Sequence, residues 1–119
     1  MELRDRFAEF FRFVATTEAG KRFASAYVVA AFESPGSRIV IDTKTQPPDG
    51  GWFTVHVDDE TAPPVEVTFT APPDVYDRLL RGDLNIMLAV TSRKIAVEGK
   101  LPRAMRLIPA FAGSLPFHN

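Results

Sequence analysis

The sequence predicts an α+β fold: one five-stranded, mostly antiparallel sheet with helices packed on one face. Three observations predict it. Several runs in the first two thirds alternate with period two and are separated by short Pro- and Gly-rich turns. After Pro72-Pro73 the period lengthens to about 3.6 residues. Apolar stripes at helical spacing open and close the chain.

Residues 3 to 14 read as the first helix. Leu3, Phe7, Phe10, Phe11 and Val14 form its stripe, Arg4, Glu9 and Arg12 face water, and Phe13 interrupts the polar face. The mixed charge of that face favours docking on the sheet over lying on a membrane. Gly20 reads as a break. A strand is expected from Ala24 to Phe32, with Ala24, Ala26, Val28, Ala30 and Phe32 on one face and Tyr27, Val29 and Ala31 on the other. Both faces are apolar, so this strand is expected to be central and covered on both sides for part of its length.

Ser34-Pro35-Gly36-Ser37 is a turn, and 38 to 45 a second strand with Ile39 and Ile41 on one face. Pro47-Pro48-Asp49-Gly50-Gly51 is a loop before a third strand, 52 to 57, whose Phe53, Val55 and Val57 oppose Trp52, Thr54 and His56. A fourth strand carries Val65, Val67 and Phe69. The prolines after it lack the amide a ladder needs. Asp74 is positioned to cap a helix bearing Val75, Leu79 and Leu80, and Gly82 to end it. Asp83 is positioned to cap the next, in which Leu84, Met87, Leu88 and Thr91 share a spacing. Arg93 and Lys94 follow near its C-terminus, where cations oppose the helix dipole. Ile95 and Val97 mark the fifth strand, which Gly99 ends, and the two-helix excursion before it is long enough for a crossover. Pro102 suits the first turn of a closing helix. There Leu101, Met105, Ile108 and Phe111 form the expected inward stripe, and Pro109 should bend or end the helix. Gly113 and Pro116 suggest a weakly held tail, able to act as a lid.

At 119 residues the chain is expected to form one domain, 1–119, with a single core. Its apolar fraction of 45% and charged fraction of 24% are ordinary for globular proteins. A net charge of -1 supplies no general field for nucleic acid or anionic membranes. There is no cysteine, which excludes disulfides, thiolate chemistry and cysteine-ligated metals. The N-terminal residues, with Glu2 and Asp5, do not read as a signal peptide, and no run is long enough to span a bilayer. A soluble cytoplasmic protein without stable membrane insertion is expected.

Catalytic motifs are missing. His56 reads as a solvated strand residue with Asp42 or Lys44 as its only cross-strand neighbours, and His118 lies in the tail. Asp58-Asp59-Glu60 lacks the alternating donors and glycine turn of a calcium loop. Gly50-Gly51 and Gly82 lack the strand–glycine–helix context of a phosphate loop. There is no G-x-S-x-G elbow and no cofactor motif, so the chain is read as non-catalytic.

The stretch from Glu66 to Leu107 resembles the second half of the type-2 sterol carrier protein domain. Val67-Thr68-Phe69, Leu79-Leu80-Arg81-Gly82-Asp83-Leu84, Met87, Lys94-Ile95-Ala96-Val97-Glu98-Gly99 and Ala104-Met105-Arg106-Leu107 carry the resemblance. It departs from the family at Glu66, where an Asp is usual, at Ser92-Arg93, where a glycine is usual, and at Lys100, where an acid is usual.

The resemblance implies a sterol-carrier-like fold with an apolar tunnel between the sheet and the later helices, holding a sterol, fatty acyl chain or similar lipid. The implied lining is Phe53, Val55, Val67, Phe69 and Val97 from the strands, with Leu80, Met87, Val90, Met105, Ile108 and Phe111 from the helices. Burying roughly ten methylenes at ~0.8 kcal/mol each gives about 8 kcal/mol gross, which association costs reduce to about micromolar affinity. On the bare sequence, core packing is the leading reading of Met87 and Met105, and it is the resemblance that turns them toward a tunnel. Two other readings stay open: an accessory protein that presents an isoprenoid or acyl intermediate to a biosynthetic enzyme, and a small isomerase or cyclase. An enzyme partner or a homodimer is compatible with either carrier reading.

Overall fold

The computed structural model describes residues 3–48 and 50–117. The element order is α1 (Leu3–Ala15), α2 (Glu18–Ala24), β1 (Val29–Ser34), β2 (Ser37–Asp42), β3 (Thr54–Val57), β4 (Val67–Thr70), α3 (Pro73–Leu80), α4 (Ile86–Thr91), β5 (Ala96–Gly99) and α5 (Leu101–Ala112). The strands form one sheet in the order β3-β2-β1-β4-β5. Three of its ladders are antiparallel, and β1 pairs with β4 in parallel. The α+β class and the mostly antiparallel sheet agree with the sequence reading.

Alternation sorts the strand side chains. Phe32, Ile39, Ile41, Val67 and Phe69 are buried on one face, where they join Phe7, Phe10, Phe11, Phe23 and Phe111 of the helices. On the opposite face Val29, Ala31 and Val40 are covered by Ala62 and Val65. This explains why β1, the middle strand, is apolar on both sides. The β3–β4 connection passes over the back of the sheet and returns the chain beside β1 in parallel. The crossover therefore falls before β4. The two-helix excursion joins an antiparallel pair, β4 and β5.

Several sequence expectations are corrected. Gly20 lies inside α2 and marks no break. A Cβ there would sit 2.5 Å from the Val14 carbonyl oxygen and 2.9 Å from the Trp52 ring, so the glycine permits close packing. Ala24 is the last residue of α2, and β1 begins only at Val29, after Tyr27 turns the chain with φ of 50°. β2, β3 and β4 are shorter than expected. Trp52 stays outside β3, its amide donating to the Ala15 carbonyl at 2.8 Å.

Asp74 does not cap α3. Pro72 holds that position and Asp74 lies in the first turn. Asn85 caps α4 in place of Asp83, its side chain accepting from the Leu88 amide at 3.1 Å. Within α4, Ile86 and Ala89 are buried while Leu88 and Thr91 face solvent, so the buried stripe is not the one expected. In α5 the buried face is Ala104, Leu107, Ile108, Ala110 and Phe111. Leu101 and Met105 are 53% and 49% exposed and point away from it. Pro109 does not end α5, which continues to Ala112. Helical spacing alone gave two interleaved apolar stripes here, and only packing selects one.

The tail is also held more firmly than expected. The Phe117 amide donates to the Leu80 carbonyl at 2.8 Å, and its ring packs on Phe10 at a centroid distance of 5.5 Å. The expectations for Leu3 as a packed side chain, for Asp49 and for His118 lie outside the described residues.

Candidate ligand groove

The end of α3 sets the groove. The Gly82 amide donates to Leu79 and the Asp83 amide to Arg78, with Gly82 at φ of 80°, a Schellman ending. A Cβ on Gly82 would lie 2.9 Å from Pro116, so the glycine also lets the terminal segment approach. The chain then turns through Leu84 and Asn85 into α4, opposite the last turns of α5. Between them lies a groove of about 350 Å³, lined by Gly82, Leu84, Asn85, Ile86, Met87, Ile108, Pro109, Ala112, Leu115 and Pro116. Asn85 is the only polar side chain of the lining, and its Oδ1 is already engaged by the Leu88 amide.

That volume falls within the usual range of roughly 300–1,000 Å³ for ligand sites. A second cavity, lined by Phe7, Phe32, Ile39 and Tyr76 together with Arg4, Ser34 and Ser37, is only about 200 Å³. A wider depression of about 520 Å³ beside Phe53 and Val55 is walled by Arg12, Thr16 and Thr54. The α4–α5 groove combines sufficient size with an almost wholly apolar wall.

Of the residues named from the sequence, Met87 and Ile108 meet in this groove. Phe53 and Val55 line the depression near α1. Val67, Phe69, Leu80 and Phe111 are fully buried, and Val90 and Val97 pack half-buried on the core. Met105 is exposed. The layer between sheet and helices is filled with rings: Phe111 stands 5.7 Å from Phe32, 5.1 Å from Phe23 and 6.0 Å from Phe10. Open apolar volume lies at the edge of that layer. The sequence reading missed Ile86, Leu115 and Pro116 as lining. The first carried a signal, being apolar directly beside Met87.

Titratable groups are engaged elsewhere. Glu66, just before β4, accepts from Lys44 at 2.7 Å, from Lys100 at 2.9 Å and from the Val29 amide at 3.2 Å. Lys44 above all, then Lys100, holds its carboxyl down at about 2, against the cost of burial. The Tyr76 hydroxyl lies 2.8 Å from the Phe69 carbonyl and 3.1 Å from that of Glu33, and burial pushes it above the ordinary phenol range. His56 sits opposite Val40 in the ladder and meets Asp59 at 3.1 Å at the protein surface, so its partner is neither Asp42 nor Lys44. Hydrogen bonds from the Thr61 hydroxyl and amide, then from His56, hold Asp59 down at about 2. Among the described residues no group of three or more His, Asp or Glu side chains could hold a metal, and no helix is long and apolar enough to cross a membrane.

The sheet order, the paired α3–α4 excursion and the closing helix define a sterol carrier protein 2 fold. No family model and no curated protein matches the chain. Solved structures do. The sterol carrier protein domain 2 of Helicoverpa armigera superposes with a TM-score of 0.68 at 18% identity, covering 96% of this chain and 89% of that one. A ubiquinone synthesis protein, UbiJ-SCP2, gives 0.57 at 18% identity, covering 87% and 82%. Sterol Carrier Protein-2 from Aedes aegypti, solved in complex with the C16 fatty acid palmitate, gives 0.51 at 18% identity, covering 82% and 94%. The likeness is one of fold, and it agrees with the resemblance carried by the stretch from Val67 to Leu107.

Proposed function

We propose that residues 1–119 act as one non-catalytic lipid-binding domain that holds a fatty acyl chain, sterol or similar apolar molecule in the α4–α5 groove. The observation that carries this reading is the groove's wall, apolar from Leu84 through Met87 and from Ile108 to Pro116 except at Asn85. A wall with a single polar side chain, Asn85, favours a hydrocarbon ligand, because a polar one would lose its water with little compensation. The palmitate complex of a protein with the same fold supports the ligand class. An isomerase or cyclase would need an ionisable group at its ligand, and the groove lining has none.

Displacement of a fluorescent fatty acid by palmitate tests the reading. Met87→Trp fills the groove and is expected to weaken binding by about tenfold, ~1.4 kcal/mol, with the far-ultraviolet circular dichroism unchanged. Unaltered affinity in a folded variant would overturn the assignment.

The likeness to UbiJ-SCP2 favours a second reading, in which the same groove presents an isoprenoid intermediate to a biosynthetic enzyme. Native mass spectrometry of protein purified from cells separates the two. A retained isoprenoid supports the second, and a retained fatty acid or sterol supports the first.

A further inference from the structure

The outward side of α5 is the wrong chemistry for a helix that faces only water. Leu101, Met105, Pro109 and Ala112 recur at i, i+4, i+8 and i+11, all exposed, on a flank of the helix that turns away from the buried face. Surface helices ordinarily place charged residues there. In α1 the corresponding positions are Asp5, Glu9 and Arg12, whereas α5 has only Arg103 and Arg106 as charges in its whole length. Across the groove, Leu88 of α4 is 66% exposed.

Charge is distributed unevenly as well. Residues 84–119 carry five cations against one acid, a net +4, while residues 1–83 carry nine cations against fourteen acids, a net -5. The chain's near-neutral total conceals this division. Lys100 is spent on Glu66, and Arg103 on the Tyr27 carbonyl and ring. Arg93, Lys94 and Arg106 are exposed and make no ion pair among the described residues.

We infer that the outward face of α5, with Leu88 of α4 and the cations Arg93, Lys94 and Arg106, is a docking surface for an anionic lipid bilayer. Apolar side chains on a short helix, flanked by cations, are what an interfacial helix buries at the headgroup–acyl boundary. The helix spans about 18 Å, enough to lie in the membrane plane without crossing it. A second copy of this chain is disfavoured by charge, because a two-fold contact would set the same cationic face against itself. The bilayer is further favoured by position: Pro109 and Ala112 belong both to the outward stripe and to the groove lining, so the docked surface meets the groove. The inference stands on the exposed face and does not require the groove to hold a lipid.

Co-sedimentation of the full chain with vesicles tests it, using phosphatidylcholine alone and an equimolar mixture with phosphatidylserine. Binding is expected to the mixture, weakly to phosphatidylcholine, and to decline as salt is raised. Met105→Glu is expected to reduce partitioning by about tenfold or more, since it places a carboxylate at an apolar, anionic boundary. Arg106→Gln should reduce it about fivefold, the value of one cation near such a surface. Arg12→Gln on α1 makes the same change in net charge beside β3, at the far edge of the sheet from β5 and α5, and should leave partitioning unchanged. Both substituted α5 side chains are exposed, and circular dichroism verifies that the variants fold. Equal binding to the two vesicle types, or binding indifferent to Met105→Glu, would overturn the proposal. So would a dimer in sedimentation velocity that Met105→Glu converts to monomer, which would assign the face to a second copy.

Discussion

Phe32 and Phe69 are register partners across the parallel β1–β4 ladder, and their rings stack with centroids 4.9 Å apart and planes 4° from parallel. The pairing returns the chain after β3 to the centre of the sheet. It also places Phe32 where α1 and α5 meet the sheet, since the same ring touches Phe7, Phe11 and Phe111.

Phe69→Ala is therefore expected to cost about 3–5 kcal/mol, the range for deleting a fully buried aromatic ring. Phe69→Leu retains most of the volume and should cost about 1.5 kcal/mol or less. Urea unfolding gives both values. A loss below about 1 kcal/mol for the alanine variant would show that the stack is peripheral to stability.

Glu66 ties three elements, and its charge sets an acid limit. Its carboxyl is held at about 2 in the fold against an ordinary 4.5. The depressed group favours the folded state fully above 4.5, and that contribution is lost as pH falls through the interval down to about 2. Glu66→Gln is expected to lose roughly 1–3 kcal/mol at neutral pH, with partial solvation of the two lysines favouring the lower end. It should also flatten the fall in stability across that interval. Thermal melts of both proteins from neutral to acid pH measure this, and parallel curves would exclude Glu66 as the source.

The end of the chain divides at Ala112. Phe111 lies at the centre of the ring cluster and is fully buried, so a chain cut before Pro109 is expected to lose cooperative folding. A chain ending at Ser114 keeps Phe111 and loses Leu115 and Pro116, one wall of the groove, together with the Phe117 anchor. Removing that buried ring should cost about 2–3 kcal/mol. Stopped-flow release of a fluorescent fatty acid is expected to be faster from this shorter chain. Unchanged release from a folded protein ending at Ser114 would remove the terminal segment from the site.

Most elements were readable from local pattern. Period two placed Ile39 and Ile41, and Val67 and Phe69, on the correct face, because adjacent side chains of a strand must diverge whatever lies beyond them. Pro72-Pro73 and Gly82 delimited α3 because proline's missing amide and glycine's access to positive φ act within one turn of backbone. The errors came where a residue answered to distant neighbours. Gly20 resembled a break, yet its lack of a side chain serves contact with Val14 and Trp52 inside a helix.

The sequence by itself determined the α+β class, the number of strands, the closing helix and the apolar character of the short stretches around Met87 and Ile108. It also encoded the concentration of cations after residue 83, since composition needs no fold. Only the tertiary structure decided that β1 pairs with β4 in parallel and that the phenylalanines close the space between sheet and helices. It decided as well that Met87 faces Ile108 across a groove while Met105 looks outward. In α5 both apolar stripes satisfy helical periodicity equally. Ala104, Leu107 and Phe111 turn inward because they fit the space beside Phe10, Phe23 and Phe32, and burying that stripe leaves Leu101 and Met105 at the surface.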